Sequence, residues 1–136
     1  MLQRLTNALA AVTLVAASFA LNAQSIDLGR GELPITVPAG YSSENPAPLI
    51  VLLHGYTSSG AMQDGYMGFS KLAAQYGFLL VAPDGNREPG GDENRFWNAS
   101  DACCDFFSTE VDDSAYVADI IKEVKAQFTV DNNRIY

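Results

Sequence analysis

The chain's single histidine, His54, follows the apolar run Leu49-Ile50-Val51-Leu52-Leu53 and precedes Gly55-Tyr56, with Ser58 and Ser59 close behind. A serine beside a histidine is the pairing of nucleophilic acyl transfer, in which the imidazole takes the hydroxyl proton. Neither serine sits in a G-x-S-x-G turn, and no such turn occurs in the sequence. Ser58 and Ser59 therefore read as loop residues. A histidine at a strand end ahead of a glycine reads as a brace that holds the following loop by hydrogen bonds, not as an acid or base.

The remaining chemistry-bearing residues lie in one polar stretch, 86–110. Trp97 is the sole tryptophan; its ring either stacks on an aromatic or sugar group of a substrate or packs the loop onto the domain. Cys103 and Cys104 are adjacent, a spacing that closes only a strained ring, so each is expected to seek a distant partner. The chain has two cysteines in all, which leaves both without one. A Cys-Cys pair alone lacks the ligand count of a metal site. Asp84, Asp92, Glu93 and Asp101 have no EF-hand spacing and read as solvated charge. No metal or other cofactor is implied. Asn98-Ala99-Ser100 matches a short and frequent glycosylation pattern.

These residues need elements to position them. Leu49–Leu53 and Phe78-Leu79-Leu80-Val81-Ala82 lack polar alternation, which suits strands buried on both faces of a parallel sheet. Leu33–Val37 reads as a strand that Pro34 moves towards an edge. Phe69, Leu72, Ala73 and Tyr76 fall on one helix face, with Gly77 at the capping position. Gly60–Gly68 reads as a glycine-punctuated loop holding at most a short helical turn. Asp112 and Asp113 open a second helix, with carboxylates at the positive end of its dipole. Its stripe is Val117, Ile120, Ile121, Val124 and Phe128. Val130–Asn133 reads as a turn, and Arg134-Ile135-Tyr136 begins a third strand. Strand, helix, strand, helix, strand is an α/β pattern, whose functional residues gather at the carboxyl ends of strands. Those ends are His54-Gly55-Tyr56 and Pro83-Asp84-Gly85.

Composition narrows the function classes. The 136 residues carry a net charge of −8, with 48% apolar and 18% charged residues. That is the balance of a globular chain of at most one domain. The acidity argues against nucleic acid or an anionic membrane as partner. Residues 1–23 read as a cleaved secretory signal: Arg4 is the positive start, Ala8–Leu21 the apolar run, and Ala20 and Ala23 the small residues for cleavage. A membrane anchor is the weaker reading, because the run is shorter than the roughly 20 residues that span a bilayer. The chain is thus expected to be secreted, to the periplasm or the extracellular space, and free of the membrane once the signal is cut.

Several segments in order resemble one family. Pro48 through His54-Gly55-Tyr56-Thr57-Ser58-Ser59-Gly60 resembles the oxyanion segment of α/β-hydrolases. Phe78 through Pro83-Asp84-Gly85, then Arg95-Phe96-Trp97-Asn98-Ala99, Cys103-Cys104 and Val111-Asp112-Asp113, are similar to the secreted polyhydroxybutyrate depolymerase and feruloyl esterase branch. The resemblance runs from about Leu33 to Tyr136. It implies that residues 24–136 are the N-terminal part of an α/β-hydrolase domain with a mostly parallel sheet. In the family, Asn133-Arg134-Ile135-Tyr136 leads into the G-x-S-x-G nucleophile elbow, with the acid–base histidine and its carboxylate later still.

The resemblance further implies that this segment supplies only oxyanion stabilisation. Gly55 lets the chain turn off the strand, the Tyr56 N–H is the oxyanion donor, and His54 supports the loop. Cys103 and Cys104 would then bridge to cysteines outside these residues. Substrates would be polyhydroxyalkanoate esters or hydroxycinnamoyl esters on polysaccharide. By itself the segment is expected to be inactive and to aggregate, because the strand beginning at Arg134 is cut short and leaves the apolar edge beside Leu49–Leu53 unpaired. The alternative from another class is a secreted binding protein that keeps the fold without the catalytic residues.

Overall fold

The computed structural model describes residues 24–90 and 94–136. Residues 1–23, expected to be a signal, and the carboxylates Asp92 and Glu93 lie outside the described residues. In chain order the elements are β1 (Ser25–Asp27), β2 (Glu32–Thr36), β3 (Ala47–Val51), α1 (Gly60–Met67), α2 (Phe69–Tyr76), β4 (Leu79–Val81), β5 (Asn86–Arg87), β6 (Arg95–Phe96), α3 (Asp113–Gln127) and β7 (Val130–Ile135).

The unbroken apolar runs become the centre of a sheet with a layer on each face. Leu49, Leu79 and Val81 join Ile120 and Val124 of α3 on one side. Leu52 and Leu80 join Ala73 of α2 and Phe78 on the other. Successive side chains of a strand point to opposite faces, so a strand covered on both faces needs apolar residues at every position. Burial of each such side chain stabilises by about 1.5–3 kcal/mol.

The sheet order is β1-β2-β4-β3-β7. β3 pairs in parallel with β4 and β7, while β2 pairs antiparallel with β1 and β4. The sheet is therefore mixed, with α/β character, and not mostly parallel. β2 is an interior strand, although Pro34 suggested an edge. The reason is visible in the register: Ile35 and Thr36 face β4, and the ladder stops one residue before Pro34, whose ring nitrogen has no proton to donate.

The helices divide into one expected and one not. α2 ends at Gly77, which takes φ 72° and donates its N–H to Ala73 O at 2.8 Å. Gly60–Met67 is a helix, not a loop. Ser59 caps it through Oγ, which accepts from Met62 N at 3.2 Å, and Asp84 Oδ1 accepts the Gly60 N–H at 2.8 Å. A Cβ on Gly60 would lie 1.9 Å from Ala82 O, so only glycine lets the helix start this close to the end of β4. α3 begins as expected, with Asp112 Oδ1 accepting Ala115 N at 2.8 Å.

β7 covers the edge of β3. Ala47 pairs with Val130 and Leu49 with Ile135, with an irregular register between. In that bulge Asp131 Oδ1 accepts Asn133 N at 2.9 Å, so a side-chain turn sits inside the strand. The edge expected beside β3 thus belongs to β7, where Asn132, Asn133 and Arg134 are exposed. No helix among the described residues is long and apolar enough to cross a membrane.

Candidate active site

The carboxyl ends of β3 and β4 lie side by side and are stitched together by His54. The Gly85 N–H donates to His54 Nε2 at 2.9 Å. That bond requires Nε2 to be unprotonated, so Nδ1 carries the proton and donates it to Gly55 O at 2.7 Å. Both ring nitrogens are occupied by backbone, and the side chain is buried. Trp97 Nε1 donates to His54 O at 3.0 Å, and the two rings lie 5.2 Å apart.

Gly85 has a strict steric reason. A Cβ there would lie 2.3 Å from Phe96 O and 3.3 Å from Trp97 Cδ2. Gly55 has none among the described residues: its φ is not in the left-handed region, and a Cβ would meet nothing within 4 Å. The left-handed residue of the loop is Thr57, at φ 68°.

Gly55–Ser58 forms a tight turn. Ser58 N donates to Gly55 O at 3.1 Å, so Tyr56 and Thr57 are its central residues. A β-branched residue at positive φ costs about 1–3 kcal/mol and persists only where its surroundings over-determine it. The β5–β6 ribbon does this. Thr57 N donates to Arg95 O at 2.8 Å, and Tyr56 OH donates to Glu88 Oε1. Arg95 in turn pairs with Asp84 Oδ2 at 2.9 Å and reaches Gly85 O at 3.4 Å. Asp84 therefore uses one oxygen on Gly60 and the other on Arg95; it is a structural clamp, not merely solvated charge.

Trp97 is 9% exposed and points its N–H at the backbone, so a substrate reaches little of it. Arg30 lies 5.8 Å from its ring centroid and 3.9 Å from that of Tyr116. Arg30 Nη2 also lies 2.6 Å from Asp113 Oδ1, at ion-pair distance without hydrogen-bond alignment. Asp113 Oδ2 accepts Asn98 N at 2.6 Å. Burial holds the Tyr116 hydroxyl above its usual range, although the Arg30 charge opposes it. Tyr56, Phe106 and Phe107 are exposed here, and the rings of Tyr56 and Phe106 meet edge to face at 5.3 Å.

The sulfurs of Cys103 and Cys104 lie against each other at the turn of this segment. Ser100 and Cys103 exchange backbone hydrogen bonds of 2.8 and 3.0 Å, and Cys104 N donates to Trp97 O at 3.1 Å, which folds the segment back on itself. Asp101 is exposed. Asn98 donates its side-chain amide to Val111 O at 3.0 Å. Asp105 is the carboxylate that organises the loop: it accepts from Thr109 N at 2.9 Å, Thr109 Oγ1 at 3.0 Å and Glu110 N at 2.8 Å. Desolvation is the largest single effect and raises its pKa, yet the hydrogen bonds together prevail and hold the carboxyl below the usual range.

β7 brings the chain to the same end of the sheet. Val51 N donates to Tyr136 O at 2.8 Å and Tyr136 N to Leu49 O at 3.0 Å. Tyr136 thus stands beside the residues that lead into His54 and Gly55. A separate cleft of about 220 Å³ lies at the amino ends of the strands, beside Pro38, Tyr41 and Arg134. It holds no histidine or carboxylate. Glu88 and Arg30 shape the site and carry no motif; Arg95 and Asp113 entered only as parts of resembling segments and, for Asp113, of a helix start.

The chain is similar to feruloyl esterase B of Piromyces equi, with 28% identity over 102 residues. The match covers 75% of this chain and 18% of that protein, so the chain spans less than a fifth of its relative's length. No family model matches the chain. The similarity points to an esterase-like relationship.

Proposed function

We propose that residues 24–136 form the oxyanion-loop part of a secreted carboxylic ester hydrolase of the polyhydroxybutyrate depolymerase and feruloyl esterase type. The observation that carries this reading is the Gly55–Ser58 turn at the carboxyl end of β3, clamped by His54 and the β5–β6 ribbon beside the exit of β7. The similarity to a protein named feruloyl esterase B supports it.

In this reading a serine and a histidine outside residues 1–136 perform attack and proton transfer. The Tyr56 N–H donates to the oxygen on which negative charge develops, together with an N–H near that serine. A turn held before substrate arrives requires no reorganisation as the charge forms. His54 keeps the peptide on either side of Gly55 in place and moves no proton. Residues 1–23 act as the export signal. The substrate is a polyester or a hydroxycinnamoyl ester of a polysaccharide.

The test compares the whole protein with the segment 24–136 on a p-nitrophenyl acyl ester. Turnover with a burst of product by the whole protein supports the reading. Turnover by the segment alone, or none by a folded whole protein, contradicts it.

A further inference from the structure

Glu88 is a buried carboxylate that the proposed chemistry does not use, 7% exposed and immediately following β5 of the two-stranded ribbon. Burying a charge is unfavourable unless its oxygens are satisfied. Here Oε1 accepts from Tyr56 OH, and Oε2 accepts from Asn94 Nδ2 at 2.9 Å. The Glu88 N–H donates to Asn94 O at 3.0 Å, which fixes the two arms of the ribbon relative to each other. The next residue along, Arg95, receives the Thr57 N–H on its carbonyl. Two consecutive residues of the turn, Tyr56 and Thr57, are thus held by one ribbon, one through its side chain and one through its backbone.

We infer that Glu88 is a positioning residue for the Tyr56 N–H. The argument rests on the esterase reading for its catalytic half, and on geometry alone for the rest. Thr57 is held at φ 68°, a conformation its own side chain disfavours. Without an external hold the turn relaxes towards negative φ. That rotates the Tyr56–Thr57 peptide and, with it, the direction of the donor before it. The Glu88 carboxylate supplies this hold from the far side of Tyr56, where it touches no reacting atom. Phe106 meets the Tyr56 ring edge to face and limits its remaining swing.

The experiment uses the whole protein with Glu88→Gln, Glu88→Ala and Tyr56→Phe. Glu88→Ala is expected to lower kcat on a p-nitrophenyl ester at least tenfold with KM within twofold, because the donor acts mainly in the transition state. Glu88→Gln retains an acceptor for Tyr56 OH and is expected to recover most of the rate. The geometric half is read separately by amide hydrogen exchange: Thr57 and Ser58 exchange about tenfold faster in Glu88→Ala and in Tyr56→Phe, while Leu79–Val81 stay protected. If Glu88→Ala fails to fold, Tyr56→Phe makes the same comparison. Thr57 exchange unchanged in the folded variants overturns the inference. So does a loss of kcat that tracks only the fraction of folded protein. An inactive wild-type protein with faster Thr57 exchange in the variants would refute the esterase reading and leave the positioning intact.

Discussion

The backbone N–H of Gly85 donates to Nε2 of His54 at 2.9 Å, tying the end of β4 to the end of β3. This bond decides what the only histidine of the chain can do. Its second nitrogen is already turned on Gly55 O, so the imidazole is a neutral strut. His54→Ala would leave the buried Gly85 N–H without its acceptor, while the exposed Gly55 carbonyl keeps the Ser58 N–H. The expected loss is about 1–3 kcal/mol, read as a fall in denaturation midpoint. Nitrogen-15 spectra of the ring should show the proton on Nδ1; a proton on Nε2 at neutral pH contradicts the strut.

Gly85 and Gly55 should behave oppositely. Gly85→Ala places a methyl 2.3 Å from Phe96 O and is expected to destabilise by about 1–3 kcal/mol or more through overpacking. Gly55→Ala meets nothing within 4 Å and is expected to leave the melting temperature unchanged within error. Any loss of ester turnover in Gly55→Ala then reports on access to the oxyanion loop. Thermal melts of both variants check the contrast.

Asp112 and Asp113 are neighbours with different tasks. Asp112→Ala removes an exposed cap and should cost about 1 kcal/mol. Asp113→Ala takes the carboxylate away from the partly buried Arg30 charge and the Asn98 N–H, and is expected to cost about 3 kcal/mol. Urea titrations that give equal losses for the two would contradict this account of α3.

Acid should loosen two loops before the core. Desolvation, the largest single effect, raises the Asp105 pKa, but several hydrogen bonds together outweigh it and hold the carboxyl low. The Asn133 N–H and the Arg134 side chain hold that of Asp131 low. A carboxyl whose pKa is depressed by folding stabilises fully above its unfolded value, near 3.8, and loses that contribution as pH falls through the folded value. Amide exchange in 105–110 and 131–134 should therefore rise as pH drops below about 4, after correction for intrinsic rates. Protection there that is flat down to pH 2 contradicts the assignment.

The parts of this fold that follow from covalent chemistry and burial were legible in the sequence. The apolar runs of β3 and β4, the α2 stripe closed by Gly77 and the Asp112 cap each encode one element locally. What was not legible depends on partners far along the chain. α1 has a weak apolar stripe and is held by Asp84 and by the fit of Gly60 under Ala82. The β5–β6 ribbon is two residues per strand, and its role lies in bonds to Tyr56 and Thr57, about 30 or more positions away. Trp97 offered two readings, and the bond from its N–H to His54 O favours the packed one. The positive φ of the Gly55–Ser58 turn falls at Thr57, a placement that no residue type announced.

The central claim is that residues 24–136 hold an oxyanion donor for ester hydrolysis carried out by groups outside them. The most direct measurement is p-nitrophenyl ester turnover by the whole protein and by the isolated segment, at equal concentration of folded chain. The account predicts burst kinetics from the whole protein and a rate from the segment equal to that of a denatured control. Catalysis by the segment alone, or a folded whole protein with no turnover of polyester or hydroxycinnamoyl ester, would contradict it.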